Sequence, residues 1–166
     1  MIDSYLKQSV ELDDHTIHLL FSANRWEVFK KMKDLLLSGS TLIVDRYAYS
    51  GVAFTAAKGL DVEWCRQPDV GLIKPDKVIY MMVSGDCASQ RSQFGEERYE
   101  KLDFQVKVKN VFKQLEDPDY WQVVNGDVSV DEVHSQVYQI ASETINGASE
   151  KPLLKLWTDG TVSQDK

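Results

Sequence analysis

From Asp13 to Gly39 the apolar positions Ile17, Leu20, Phe21, Val28, Met32, Leu35 and Leu36 recur at helical spacing, which predicts one long helix. Asp13 and Asp14 suit its first turn, and Gly39 is placed to stop it. The pattern changes at Thr41-Leu42-Ile43-Val44-Asp45, which is apolar without alternation, as a strand covered on both faces is. Helical patterns follow at Ser50–Lys58 and around Asp61–Arg66, and Pro68 and Pro75 punctuate the loop after them. A second continuous apolar run, Lys77–Val83, predicts another buried strand. The charged segment from Asp86 to Glu100 leads into a helix ending near Glu116, where Asp117-Pro118 stops it. A third strand is expected at Tyr120–Asn125 and a last amphipathic helix at Val130–Ile145, with a loose polar tail after Trp157. Strands alternating with helices predict an α/β fold with a parallel sheet. Three strands are few for that class, which points to strands not contained in these residues.

Composition narrows the picture further. The 166 residues, 43% of them hydrophobic, are enough for one domain with a substantial core. Acidic residues outnumber basic ones by 26 to 19, a net charge of −7, which argues against a long nucleic acid as ligand. A small phosphorylated ligand remains open, because a few arginines in one cleft suffice. Cys65 and Cys87 lack metal-binding spacing and are expected to be free thiols. The opening residues hold no apolar core of a secretory signal, and no apolar run is long enough to span a bilayer. Cytoplasmic residence is the expectation, with the nucleus or mitochondrion as alternatives.

Three features could carry chemistry. Leu42-Ile43-Val44-Asp45-Arg46-Tyr47 is an apolar strand ending in an acid and an arginine. P-loop kinases place such an acid beside the nucleotide and its magnesium, and the guanidinium after it can grip a phosphate. The same run also suits an ordinary core strand. Phe21 and Arg25, four apart on one helical face, could stack on a nucleobase and bond its edge, or could be a core ring and a snorkelling cation. Arg91 and Arg98, in a charged stretch containing Gly95, suit either a mobile lid or a solvated surface turn. His15 and His18 lack the further ligands of a zinc set and are expected to be solvated.

In this order the segments closely resemble the thymidylate kinases, the eukaryotic ones in particular. The resemblance rests on Leu19-Leu20-Phe21-Ser22-Ala23-Asn24-Arg25-Trp26-Glu27 and on Val44-Asp45-Arg46-Tyr47 with Ser50-Gly51-Val52-Ala53-Phe54. It continues through Trp64-Cys65-Arg66-Gln67-Pro68-Asp69-Val70-Gly71-Leu72, Lys74-Pro75-Asp76, Phe94-Gly95, Glu97-Arg98-Tyr99-Glu100, Glu150-Lys151-Pro152-Leu153 and Leu156-Trp157. It implies a P-loop NTPase-like three-layer α/β/α parallel sheet that transfers a phosphoryl group from ATP to dTMP, with Mg2+, in dTTP synthesis. It also implies a homodimer formed through helices that include Asp14–Ser38.

Carried over residue by residue, Phe21 stacks on thymine and Arg25 bonds its edge oxygen. Arg46 holds the dTMP phosphate, with Asp45 beside the magnesium and its water. Ser50, Gly51 and Phe54 line the nucleoside pocket, Tyr99 and Gln105 close over it, and Arg91 is the lid arginine. The turn Asn125–Val128 approaches adenine. One departure is large. The family's Gly-x-x-x-x-Gly-Lys-Ser/Thr loop occurs nowhere in the chain, where none of the nine glycines is followed by Lys. The resemblance therefore implies that residues 1–157 form a kinase-like domain lacking its first two strands, with 158–166 a disordered tail. A chain of this kind is expected to be inactive alone. The alternative is a non-catalytic truncated form that acts as a dimer partner or dTMP-binding module.

Overall fold

A computed structural model describes residues 1–85, 87, 102–148 and 151–162. A short α1 (Ile2–Leu6) precedes the long α2 (Asp14–Leu37), followed by α3 (Ala48–Ala56) and α4 (Val62–Arg66). A 3-10 turn (Gln67–Asp69) leads to β1 (Val78–Met82), and then come α5 (Leu102–Leu115), β2 (Trp121–Asn125) and α6 (Val130–Ala148). β1 and β2 run parallel, with Val78 opposite Trp121 and Met82 opposite Asn125. The class is thus α/β with a parallel sheet, as the alternation of patterns predicts.

α2 begins where its cap predicts. The Asp13 carboxylate accepts from the His15 and Thr16 backbone N–H groups, satisfying donors that have no partner within the helix. At its other end Gly39 takes φ +86°, a conformation that side chains resist.

The strand expected at Thr41–Asp45 does not form. A strand exists only where a neighbour completes its ladder, and among the described residues none pairs with this run. Ile43 is accordingly 94% exposed. β1 has a ladder partner on one edge only among the described residues, and Met81 stands exposed on it. The tail expected to be loose after Trp157 instead turns back on itself as far as Val162. Lys155 N–H donates to Gly160 O and Val162 N–H to Leu153 O, while residues 163–166 lie outside those described.

The core gathers around Tyr49 of α3. Its ring meets Trp121 and Trp157 edge-on at 5.0 and 5.7 Å, and its hydroxyl lies 3.0 Å from that of Tyr120. Leu72 and Leu156 complete this cluster, while Ala53, Ala57, Val108 and Val111 join α3 to α5 in a second one.

His18, expected in solvent, is only 1% exposed. Its Nε2 faces the Cys65 carbonyl at 2.8 Å and its Nδ1 faces the Thr55 hydroxyl at 2.9 Å. A carbonyl can only accept, so Nε2 carries the proton and Nδ1 receives the Thr55 O–H. Burial holds this imidazole below its ordinary range. The unfolded chain therefore binds more protons once pH falls below about 6.5. The stability that His18 contributes is complete above that pH and is lost on acidification. His18→Gln, which can donate and accept but does not titrate, is expected to flatten the dependence of Tm on pH between 6.5 and 5. Parallel slopes for the two proteins would refute this role.

Candidate functional site

α3 presents Gly51 and Phe54 three residues apart on one helical face, and each carries an arginine from elsewhere in the chain. Arg25 of α2 lies against Gly51 so closely that a Cβ there would come within 2.9 Å of its Nη2. Arg46, in the loop before α3, lies over the Phe54 ring, its Cζ 5.3 Å from the centroid. Residues far apart in sequence thus place two guanidinium groups along one short helix.

The two arginines are held differently. Arg25 is clamped by Asp69 of the 3-10 turn, Nε donating to Oδ1 at 3.0 Å and Nη2 to Oδ2 at 2.6 Å. The Asp69 carboxylate is fully buried and also faces the Ser22 hydroxyl at 2.7 Å, while the Arg25 side chain is 12% exposed. Arg46 is exposed and makes no ion pair among the described residues. It also stands at φ +60°, a left-handed conformation that costs a non-glycine residue roughly 1–2 kcal/mol. A cation on a strained backbone, with no ion pair among the described residues and an aromatic face beneath it, is available to an anion.

The remaining expected residues fall into place unevenly. Phe21 is half-buried on α2 one turn before Arg25, and Ser50 is half-buried beside Gly51. Phe54 packs against Phe104 of α5 with centroids 6.1 Å apart, and Gln105, half-buried, follows Phe104 on that helix. Asp45 is exposed immediately before Arg46. Arg91 and Tyr99 lie outside the described residues. At the ends of the strands, Gly126 sits where a Cβ would come within 2.7 Å of Val83, and Asp127 accepts from the Ser84 N–H.

Asp69 was legible only as part of a motif, with no role attached. Its one available signal was Pro68-Asp69 before Gly71, a rigid turn with an acid in it. Neither the half-buried Tyr47 phenol nor the buried Cys65 thiol suits acid–base work. Burial, with the Asp69 charge adding to it, pushes the Tyr47 phenol up to about 12, and burial takes the Cys65 thiol to about 11. Among the described residues no three His, Cys, Asp or Glu side chains gather closely enough to hold a metal ion. Asp45 is one exposed carboxylate. That fits magnesium arriving with a nucleotide, which keeps several waters and takes its other ligands from phosphates.

The thymidylate kinase family profile matches residues 1–137. A thymidylate kinase of Arabidopsis thaliana is 48% identical over 159 residues, covering 95% of this chain and 60% of the relative. One of Danio rerio is 46% identical over 160 residues, covering 95% of this chain and 76% of the relative. The solved structure of thymidylate kinase from Candida albicans superposes with a TM-score of 0.84 at 35% identity, covering 93% of this chain and 79% of that one. The chain thus spans about three fifths to four fifths of the relatives it matches.

Proposed function

The chain belongs to the thymidylate kinase family, and we propose that its reaction is transfer of a phosphoryl group from ATP to dTMP, giving dTDP. The 166 residues serve the dTMP side of that reaction. The observation that carries this reading is the pair of guanidiniums on one face of α3, Arg25 against Gly51 and Arg46 over Phe54.

Arg25, with Phe21 one turn away, takes the base: the ring stacks and the guanidinium donates to a carbonyl on the base edge. Arg46 takes the phosphate, where its exposed charge and planar fork match two oxygens. Ser50, Gly51 and Phe54 line the nucleoside, and Tyr99 and Gln105 close over it. Arg91 is the lid arginine that faces the transferring group. Asp45 would be the residue that holds magnesium, through a water, and the ion would offset the phosphate charge. A homodimer through α2 belongs to the same proposal, supported by Val28 and Leu35, two turns apart and both exposed on that helix.

A second reading is favoured by one observation, the lack of a Gly-x-x-x-x-Gly-Lys-Ser/Thr run in these residues. In it the chain binds dTMP, alone or beside a partner subunit, and transfers nothing. Both readings require dTMP binding, which isothermal titration tests. Arg46→Ala is expected to weaken dTMP by about 1.5–3 kcal/mol, the range for a hydrogen bond to a charged group. Arg46→Gly should weaken it equally while melting higher than Arg46→Ala, because glycine tolerates the left-handed backbone. Unchanged dTMP affinity in both variants would remove Arg46 from the site.

A further inference from the structure

We infer that Asp69 is the positioning residue that makes this site read a 4-oxo pyrimidine and reject a 4-amino one. The inference rests on the dTMP reading above. A guanidinium has five N–H groups, and Asp69 occupies two of them, on Nε and Nη2. The remaining three have no partner among the described residues. A clamped Arg25 therefore offers donors, never an acceptor, in one fixed direction. A carbonyl at the 4-position of a pyrimidine accepts from them, whereas an amino group there brings donor against donor.

The direction is fixed from two sides. On one side, Asp69 is itself immobile. Its turn is pinned by Trp26, whose Nε1 donates to Pro68 O at 2.7 Å, and by the Ser22 hydroxyl, which lies 3.0 Å from the same carbonyl. Just beyond, Gly71 N–H donates to Leu156 O. On the other side, the bare backbone of Gly51 leaves room for the guanidinium and no more: an added Cβ would stand 2.9 Å from Nη2 and 3.2 Å from Nη1. An arginine held in a two-point ion pair against a wall cannot swing to suit a different base edge. Arg46, by contrast, is exposed and has no such two-point ion pair among the described residues, only the Phe54 ring beneath it.

A carboxylate that merely braced α2 against the turn would support every nucleotide alike. The two roles therefore separate in the ratio of affinities for dTMP and dCMP, which carry the same sugar and phosphate. The test is calorimetric titration of the 166-residue chain, Asp69→Asn and Gly51→Ala with dTMP and with dCMP, each protein first checked for folding by circular dichroism. Asp69→Asn keeps the shape but loses the charge and one acceptor. Gly51→Ala keeps the carboxylate and displaces the guanidinium. Wild type is expected to prefer dTMP, and each variant to lose about tenfold in dTMP affinity while dCMP changes by less than about twofold. If wild type prefers dTMP and the variants keep its ratio, the inference fails and the dTMP reading stands. Equal losses for both nucleotides also overturn it, leaving Asp69 a brace. A wild-type chain that binds neither nucleotide overturns the dTMP reading and this inference together.

Discussion

Mixed with ATP, magnesium and dTMP, the 166-residue polypeptide is expected to form no dTDP above a protein-free control. Phosphoryl transfer asks little covalent chemistry of a protein; it depends on positioning and on stabilising charge. On the proposed reading, the groups to do this for the acceptor are Arg25 and Arg46, which lie against Gly51 and Phe54 of α3. For the donor, the family relies on a loop of backbone N–H groups with a lysine and a hydroxyl, and no glycine of this chain precedes a lysine. Nor is the turn at Gly126 a substitute: Gly126 N–H is committed to Met82 O, and Asp127 brings a negative charge. Chromatographic separation of labelled nucleotides decides the matter. Production of dTDP that disappears with Arg46→Ala would show that these residues suffice for both substrates.

Leu156→Ala is expected to cost about 2–5 kcal/mol of stability, the range for truncating a well-packed core leucine. Leu156 is completely buried in the cluster around Tyr49. Its backbone is tied in as well, N–H to Leu72 O at 2.7 Å and O to Gly71 N–H at 3.0 Å, so the site cannot collapse freely around the cavity. A domain has only about 5–15 kcal/mol in total, so this one change removes a large part of it. Urea unfolding followed by tryptophan fluorescence measures the loss, since Trp121 and Trp157 share the cluster. A loss below about 1 kcal/mol would mean that the C-terminal turn is not anchored through this side chain.

Local signals in the sequence were reliable where the cause of the structure is local. Asp13 and Gly39 bound α2 because a cap and a left-handed residue act within one turn. Phe21 and Arg25 share a face because helix geometry makes them. What the sequence hid was set by partners far along the chain. His18 looked like a surface histidine until Thr55 and Cys65 enclosed it. Asp69 had no visible role until Arg25, 44 residues earlier, closed on it. Thr41–Asp45 has the composition of a buried strand, yet a strand is a relation between two segments, and the described residues offer it no second one. The tail after Trp157 looked loose because its composition is polar, but its backbone hydrogen bonds to Leu153 and Lys155 depend on chain geometry more than on side chains.

The cluster around Tyr49 also bears on how the chain is made. Tyr49 meets Tyr120 across 71 positions, and then Trp157 near the other end. Ribosomes add about 5–20 residues per second, so the apolar surface of α3 leaves the exit tunnel on the order of several seconds before its aromatic partners do. During that interval α2 and α3 can form as helices, but the surface they will bury stays open to solvent and to other nascent chains. Synthesis that stalls anywhere before Tyr120 therefore releases a polypeptide with helices and no centre, a ready client for chaperones that hold exposed apolar surface.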